Sequence, residues 1–214
     1  MHNINYKNAT EMFEGCYHYV NSYGRKFAGT KAVFNYNFTV RKPLDRIITT
    51  PVRKFKQDYA DYEFEWYLSG NRDAAEISER AKIWKNMMIP GTTEVNSNYG
   101  YFWNQNGQLD RMINELKTNP QSRRAVLVHY DPNELDRYQY DTPCNLALNF
   151  YIEDESLHMS VFARSIDLWY GLCNDFYTFS KLLELVSNKL DVPVGTITFS
   201  ITNFHIYEKH WDKL

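Results

Sequence analysis

Two alternating runs, "NLALNFYI" and "LHMSVFARS", stand on either side of the short polar stretch "EDES" and constrain this chain more than any other feature. Alternation has the two-residue period of a strand with one buried face, and a short polar break between two such runs makes a hairpin. A hairpin by itself is marginal in water, so more strands must flank it. "KAVFNYNFTV", "RRAVLVHY" and the closing "GTITFSITNFHIY" supply them.

Helical spacing fills the intervals. "ATEMFEGCYHYVNSYG" (9 to 24) puts Met12, Cys16 and Tyr19 or Val20 on one face and ends at Gly24. "DYEFEWYLSG" and "DAAEISERAKIWKNMM" read as two helices parted by a Gly-Asn turn, and "GQLDRMINELKTNP" spaces Leu109, Met112, Ile113 and Leu116 for another. A long helix is expected from about 175 to 190. Helices mixed with strands, without strict alternation, give an α/β (α+β) fold class.

At 214 residues, with no repeat or Pro/Gly/Ser linker, the expectation is a single domain over 1–214. A net charge of −2 gives no basic field for direct nucleic-acid binding. No run is long and apolar enough for a membrane span, and the start lacks a signal-peptide core, so the expected location is the cytoplasm. Cys16, Cys144 and Cys173 lack metal-like spacing, so neither a disulfide frame nor a metal site is expected.

Each thiol is then core filler or nucleophile. Cys16 falls on the apolar face of its helix. Cys173, in "GLCND" at a helix start, occupies a place where a thiol pKa can fall. Cys144 follows Pro143 at a strand start in "DTPCNLALNFYI", where it can face a cavity or simply pack. Arg25 in "YGRKFAGT", Arg123 and Arg124 in "SRR", and Arg164 in "ARS" lie near turns or strand ends. They are either separate surface charges or guanidinium groups converging on one phosphate. Asp175 either caps the following helix or reads a ligand.

"TPCN", "ARSIDLWYGLCND" and "FHIYEKH", in that order, resemble thymidylate synthases, whose motifs run P-C-H, Q-R-S-x-D-x-x-x-G-x-x-x-N and H-I-Y-x-N-H. "YGRKFAGT" is similar to that family's phosphate loop, "EFEWYLSG" to its E-x-x-W-F-x-x-G helix and "NPQSRRAVL" to its S-R-R strand. The resemblance runs from about residue 22 to 210 and implies a large mixed β-sheet flanked by helices. It also implies 5,10-methylenetetrahydrofolate as co-substrate, no metal, and a homodimer with shared active sites.

Two departures matter. Asp175 stands where a thymidylate synthase has Asn, and Asn145 where it has His after the cysteine. Together with "VNSNYG" (95 to 100) they resemble the deoxycytidylate (dCMP) hydroxymethylase branch, which supplies a modified nucleotide for phage-type DNA. The rivals are a methyltransferase or hydroxymethylase acting on dCMP or CMP, a dUMP-using thymidylate synthase, and a nucleotide-binding protein without folate chemistry. Cytosine presents an amino donor at position 4 and an acceptor at N3, the reverse of uracil, so a carboxyl at 175 suits cytosine where a carboxamide suits uracil.

By resemblance, Cys144 adds to C6 of the pyrimidine, Glu63 organises water and proton transfers, Tyr99 lies near the C5 proton, and Asp175 with Asn145 meets the base. Arg25, Arg164 and Ser165, with Arg123 and Arg124 from the partner subunit, hold the phosphate. His205 and Tyr207 hold the sugar hydroxyl, Asp167 the pterin, and Trp84 lies near the folate. Cys173 becomes a packing residue. Only seven residues follow Tyr207, fewer than in the family, where the tail closes over the folate. A missing lid would admit water and favour a hydroxymethyl product over a methyl one.

Overall fold

The computed structural model describes residues 4–214. Its strands are β1 (Ile4–Tyr6), β2 (Arg25–Phe27), β3 (Thr30–Val40), β4 (Val126–Val128), β5 (Asn145–Glu153), β6 (Ser156–Asp167) and β7 (Val194–Tyr207). They form one mixed sheet in the order β1-β3-β7-β6-β5-β4, with β2 paired to β3. β1 with β3 and β6 with β7 are parallel, and the remaining pairs are antiparallel. Helices α1 (Ala9–Tyr23), α2 (Gln57–Ser69), α3 (Ala75–Arg80), α4 (Lys82–Met87), α5 (Tyr99–Asn104), α6 (Gln108–Thr118) and α7 (Gly171–Leu190) complete it.

The expected hairpin is β5 and β6, joined by Asp154 and Glu155 at φ of 47° and 58°. Two left-handed residues give the tight turn whose twist matches antiparallel strands. Leu127, Leu148, Val161, Phe199 and Phe38 form one buried row across five strands. α7 covers that face with Leu172, Phe176, Phe179, Leu183 and Val186. The opposite face leaves Val126, Val128 and Phe162 between 37% and 46% exposed. α1 forms as read: Asn8 accepts the Glu11 N–H at its start, and Met12, Cys16 and Val20 face inward.

Two expectations need correction. The long helix starts at Gly171 rather than near 175, because Asp167 accepts the Trp169 and Tyr170 N–H groups and turns the chain into the helix early. The segment read as one helix over "DAAEISERAKIWKNMM" is two, α3 and α4, broken at Ala81, which is extended at φ −143° and ψ 107°. The break rotates α4 so that Trp84 turns inward against Trp66, ring centroids 4.8 Å apart, while Ile83 is exposed. "YGRKFAGT" is a hairpin, β2 turning through Ala28 and Gly29 into β3.

α2 and α5 touch at Gly100, where a Cβ would lie 1.4 Å from the Tyr67 carbonyl oxygen. Backbone cannot yield as a flexible side chain can, so Gly100→Ala should cost at least ~3 kcal/mol, the upper end of overpacking. A melting curve checks this: the expected fall is about 6 to 12 °C, and an unchanged midpoint would refute the close approach.

Candidate active site

Cys144 sits immediately ahead of β5, whose first residues carry a register shift between Asn145 and Ala147. A bulge of this kind re-aims side chains at a strand end. Arg164 on β6 ties the segment down: its Nε donates to the Pro143 carbonyl at 3.0 Å and Nη2 to Thr142 at 2.6 Å, while Nη2 also stands 3.8 Å from the Cys144 sulfur. Burial pushes the Cys144 thiol up to about 11; Arg164 pulls it down, and the charges of Asp175, Asp141 and Asp167 push it up. The half-buried Cys144 is the accessible thiol of the three, since Cys16 and Cys173 are fully buried. Cys173 donates to the Trp169 carbonyl at 3.3 Å and is pushed to about 12, chiefly by burial. It packs and carries no thiolate.

Asn145 is fully buried. Its Nδ2 donates to Tyr99 Oη at 2.7 Å and to Asp175 Oδ2 at 3.0 Å, and its Oδ1 is buried without a protein partner. A buried acceptor of this kind calls for a donor from a ligand or water. Asp175 lies on the fifth residue of α7 and not at its cap, which answers the question of whether it merely starts the helix. Burial raises the Asp175 carboxyl to about 7, against the opposing hydrogen bond from Asn145; Asp167 adds to the rise and Tyr99 opposes it. Near neutrality this side chain offers both a donor and an acceptor.

Glu63 faces the same region from α2 and is 4% exposed. Burial lifts its carboxyl to about 8, opposed by a 2.6 Å hydrogen bond from Tyr59 Oη and reinforced by Asp175. Trp84 Nε1 donates to Tyr59 Oη at 2.8 Å. Tyr99 stacks on Tyr67 and His129 at centroid distances of 5.2 and 5.0 Å, which fixes its ring. Burial holds the Tyr99 hydroxyl protonated.

Asp167 pairs in register with His205 across β6 and β7, and His205 with Ala32, which in turn pairs with Arg25. Ser165 lies opposite Asn203. Tyr207 follows one strand repeat after His205, with ring centroids 5.4 Å apart. Both Asp167 carboxylate oxygens already accept backbone N–H groups, so a pterin there would use the remaining lone pairs.

Arg123 and Arg124 precede β4, at the opposite edge of the sheet from Arg25 on β2. Five strand steps at about 4.8 Å separate these edges by roughly 24 Å. Convergence of all the arginines on one phosphate within a single chain is therefore excluded. Arg124 instead pairs with Glu115 at 2.9 Å, and Arg123 is exposed.

Several residues of this region were not singled out from the sequence. Tyr59 stands one helical turn before Glu63, a spacing visible in "YADYE". His129 is buried, accepts from Trp103 Nε1 at 2.9 Å and bonds the Asn145 carbonyl at 3.2 Å. Burial depresses its pKa to about 3, so it is a neutral spacer behind Asn145. Asp141 accepts the Asn96 and Ser97 N–H groups at 2.7 Å each and also the Ser97 hydroxyl. "VNSNYG" thus clamps the segment that leads to Cys144. Nothing in the spacing pairs positions 45 and 44 apart in the chain.

Among the described residues no cluster of three or more His, Cys, Asp or Glu side chains is arranged to hold a metal ion, and no helix is long and apolar enough to cross a membrane. Residues 12–214 match the family model described as thymidylate synthase. The chain is 28% identical over 196 residues to a thymidylate synthase of Coxiella burnetii, covering 87% of this chain and 73% of that one. It is 26% identical over 197 residues to one of Buchnera aphidicola subsp. Acyrthosiphon pisum, covering 87% and 73%. It is 30% identical over 191 residues to one of Fusobacterium nucleatum subsp. nucleatum, covering 86% and 69%.

Proposed function

The chain belongs to the thymidylate synthase family, and from that premise we propose that residues 1–214 act as one catalytic domain that modifies C5 of dCMP. The family transfers a one-carbon unit from 5,10-methylenetetrahydrofolate, its co-substrate, to a pyrimidine nucleotide. The observation that carries the dCMP reading is the buried Asp175 carboxyl, locked on one oxygen by Asn145 Nδ2 at 3.0 Å. With that oxygen held as an acceptor, this reading has the other accept from the cytosine 4-amino group.

Cys144 attacks C6, and because its thiol is held up to about 11 in the free chain, its proton must leave as the bond forms. Nucleophilic addition at C6 makes C5 electron-rich, so that C5 bonds to the incoming carbon. Glu63 and Tyr99 manage the protons, Glu63 at a pKa of about 8 that lets it both take and give one. Asp167 and Trp84 hold the folate. Arg25, Arg164 and Ser165 bind the phosphate, and His205 and Tyr207 the sugar hydroxyl. The C5 proton and tetrahydrofolate then leave, water adds to the new exocyclic carbon, and expulsion of the Cys144 thiolate from C6 releases 5-hydroxymethyl-dCMP, a nucleotide for modified, phage-type DNA.

The partner subunit supplies Arg123 and Arg124, as Arg25 lies across the whole sheet from this chain's own pair, roughly 24 Å away. The exposed Val126, Val128 and Phe162 on the sheet face beside them support pairing of two chains through that face.

A second reading, dUMP methylation, is favoured by the relatives, each named thymidylate synthase. Incubation with methylenetetrahydrofolate and either nucleotide, followed by mass spectrometry, separates the readings. The expected result is dCMP gaining about 30 Da, the mass of CH₂O, rather than the roughly 14 Da of CH₂. Preference for dUMP would overturn the role of Asp175, and a 14 Da gain on dCMP would make the enzyme a methylase.

A further inference from the structure

Glu63 is proposed above as the proton-handling carboxyl, yet its own hydrogen bond comes from a residue with no role so far. Tyr59, one turn earlier on α2, donates its hydroxyl to Glu63 Oε1 at 2.6 Å. The Tyr59 hydroxyl oxygen in turn accepts from Trp84 Nε1 at 2.8 Å. An indole N–H can only donate, so the direction of this chain is fixed from Trp84 to Tyr59 to Glu63. Accepting one hydrogen bond strengthens the phenol as a donor for the next, the cooperative behaviour of buried chains.

The geometry points to Tyr59 as a positioning residue, the middle link through which the place of the Trp84 indole sets the proton affinity of Glu63. This rests on the proposed role of Glu63 and deepens it. Trp84 reaches Tyr59 because Ala81 breaks the helical run, and it sits edge-on to Trp66 and Tyr67 at centroid distances of 4.8 and 6.4 Å. If the indole borders the folate, a shift of its ring as folate binds changes the hydrogen bond on Tyr59 and so the ease with which Glu63 releases its proton.

The groups facing Glu63 are few. Tyr59 and Tyr67 come from its own helix, Trp84 from α4, and the charged Asp175 from α7. Asp175 opposes ionisation of Glu63, while Tyr59 favours it and Trp84 adds a smaller direct contribution of the same sign. Loss of the Tyr59 hydroxyl leaves the carboxylate with a like charge and one donor fewer, which raises its pKa from about 8.

Infrared titration of the full protein reads this without turnover. The protonated carboxyl stretch that disappears in Glu63→Gln is followed against pH in wild type, Tyr59→Phe, Trp84→Phe and the double variant. The expected midpoint rises by about one to two pH units in Tyr59→Phe and by less in Trp84→Phe. The double variant should stay close to Tyr59→Phe alone and well short of the sum of the two single shifts, because Trp84 acts chiefly through the phenol. An unmoved midpoint in Tyr59→Phe, at unchanged melting temperature, would overturn the proposal. So would additive shifts in the double variant, which make Trp84 a direct partner of Glu63. Tritium release from C5 of labelled dCMP and dUMP is scored on wild type in parallel. Its absence with both nucleotides overturns the reaction, while the relay is judged on the infrared shift alone.

Discussion

Cys144→Ser is expected to lower turnover by roughly 10⁴-fold or more, with nucleotide binding kept. A serine hydroxyl ionises far less readily than a thiol, and the thiol itself is held up to about 11. The segment around it is fixed through the Thr142 and Pro143 carbonyls, which Arg164 bonds directly, so the variant should keep its melting temperature. Tritium release from C5 measures the loss, and release near the wild-type rate would remove Cys144 from the chemistry. The same variant tests the shared site. Mixed with Arg123→Ala, it should recover about a quarter of wild-type turnover, the share of intact sites when two defective subunits pair at random. No recovery in fully exchanged dimers would return Arg123 to the role of a surface charge.

The sheet was legible because burial of one face imposes a two-residue period over long runs. β5, β6, β7 and β3 stand where the alternation put them. What escaped was decided by single hydrogen bonds or by one backbone angle. The start of α7 moved to Gly171 because a carboxylate four residues upstream captures two N–H groups. The division of α3 from α4 turns on Ala81, whose identity gives no stop signal. In the candidate site, the cysteine, Asn145, Asp175 and Glu63 came from motif order. Their mutual contacts, Asn145 to Tyr99 and Asp175 above all, join α5, β5 and α7 and follow no local spacing. Tyr59 and Asp141 were silent for a related reason. A tyrosine on a helix or an aspartate in a loop is ordinary until its partner is known.

Asp175→Asn is the sharpest test of substrate choice. In the native side chain, Asn145 Nδ2 donates to Oδ2 at 3.0 Å, and that contact requires an acceptor. An asparagine at 175 must therefore keep its carbonyl oxygen toward Asn145, which leaves its amino group in the place of the outer carboxylate oxygen. The outer atom changes from an acceptor, matched to the cytosine 4-amino group, to a donor, matched to uracil O4. A flip of the carboxamide to suit cytosine would set two amino groups against each other unless Asn145 turned its own amide as well and gave up its Nδ2 contact with Tyr99. A buried mismatch of this kind strands a polar group on each side, which discriminates by about 10⁴ or more in polar pockets. The expected result is a reversal of the kcat/KM ratio from dCMP toward dUMP by on the order of 10³ to 10⁴. It should be accompanied by loss of the ionisation near 7 that burial gives Asp175. The volume of the side chain is nearly unchanged, so Cys144 and Glu63 stay in place and the variant should retain activity on the pyrimidine it now fits. A variant that still prefers dCMP would show that cytosine is read elsewhere. One that is inactive on both nucleotides, yet folded, would assign the Asp175 carboxyl to proton transfer rather than to recognition.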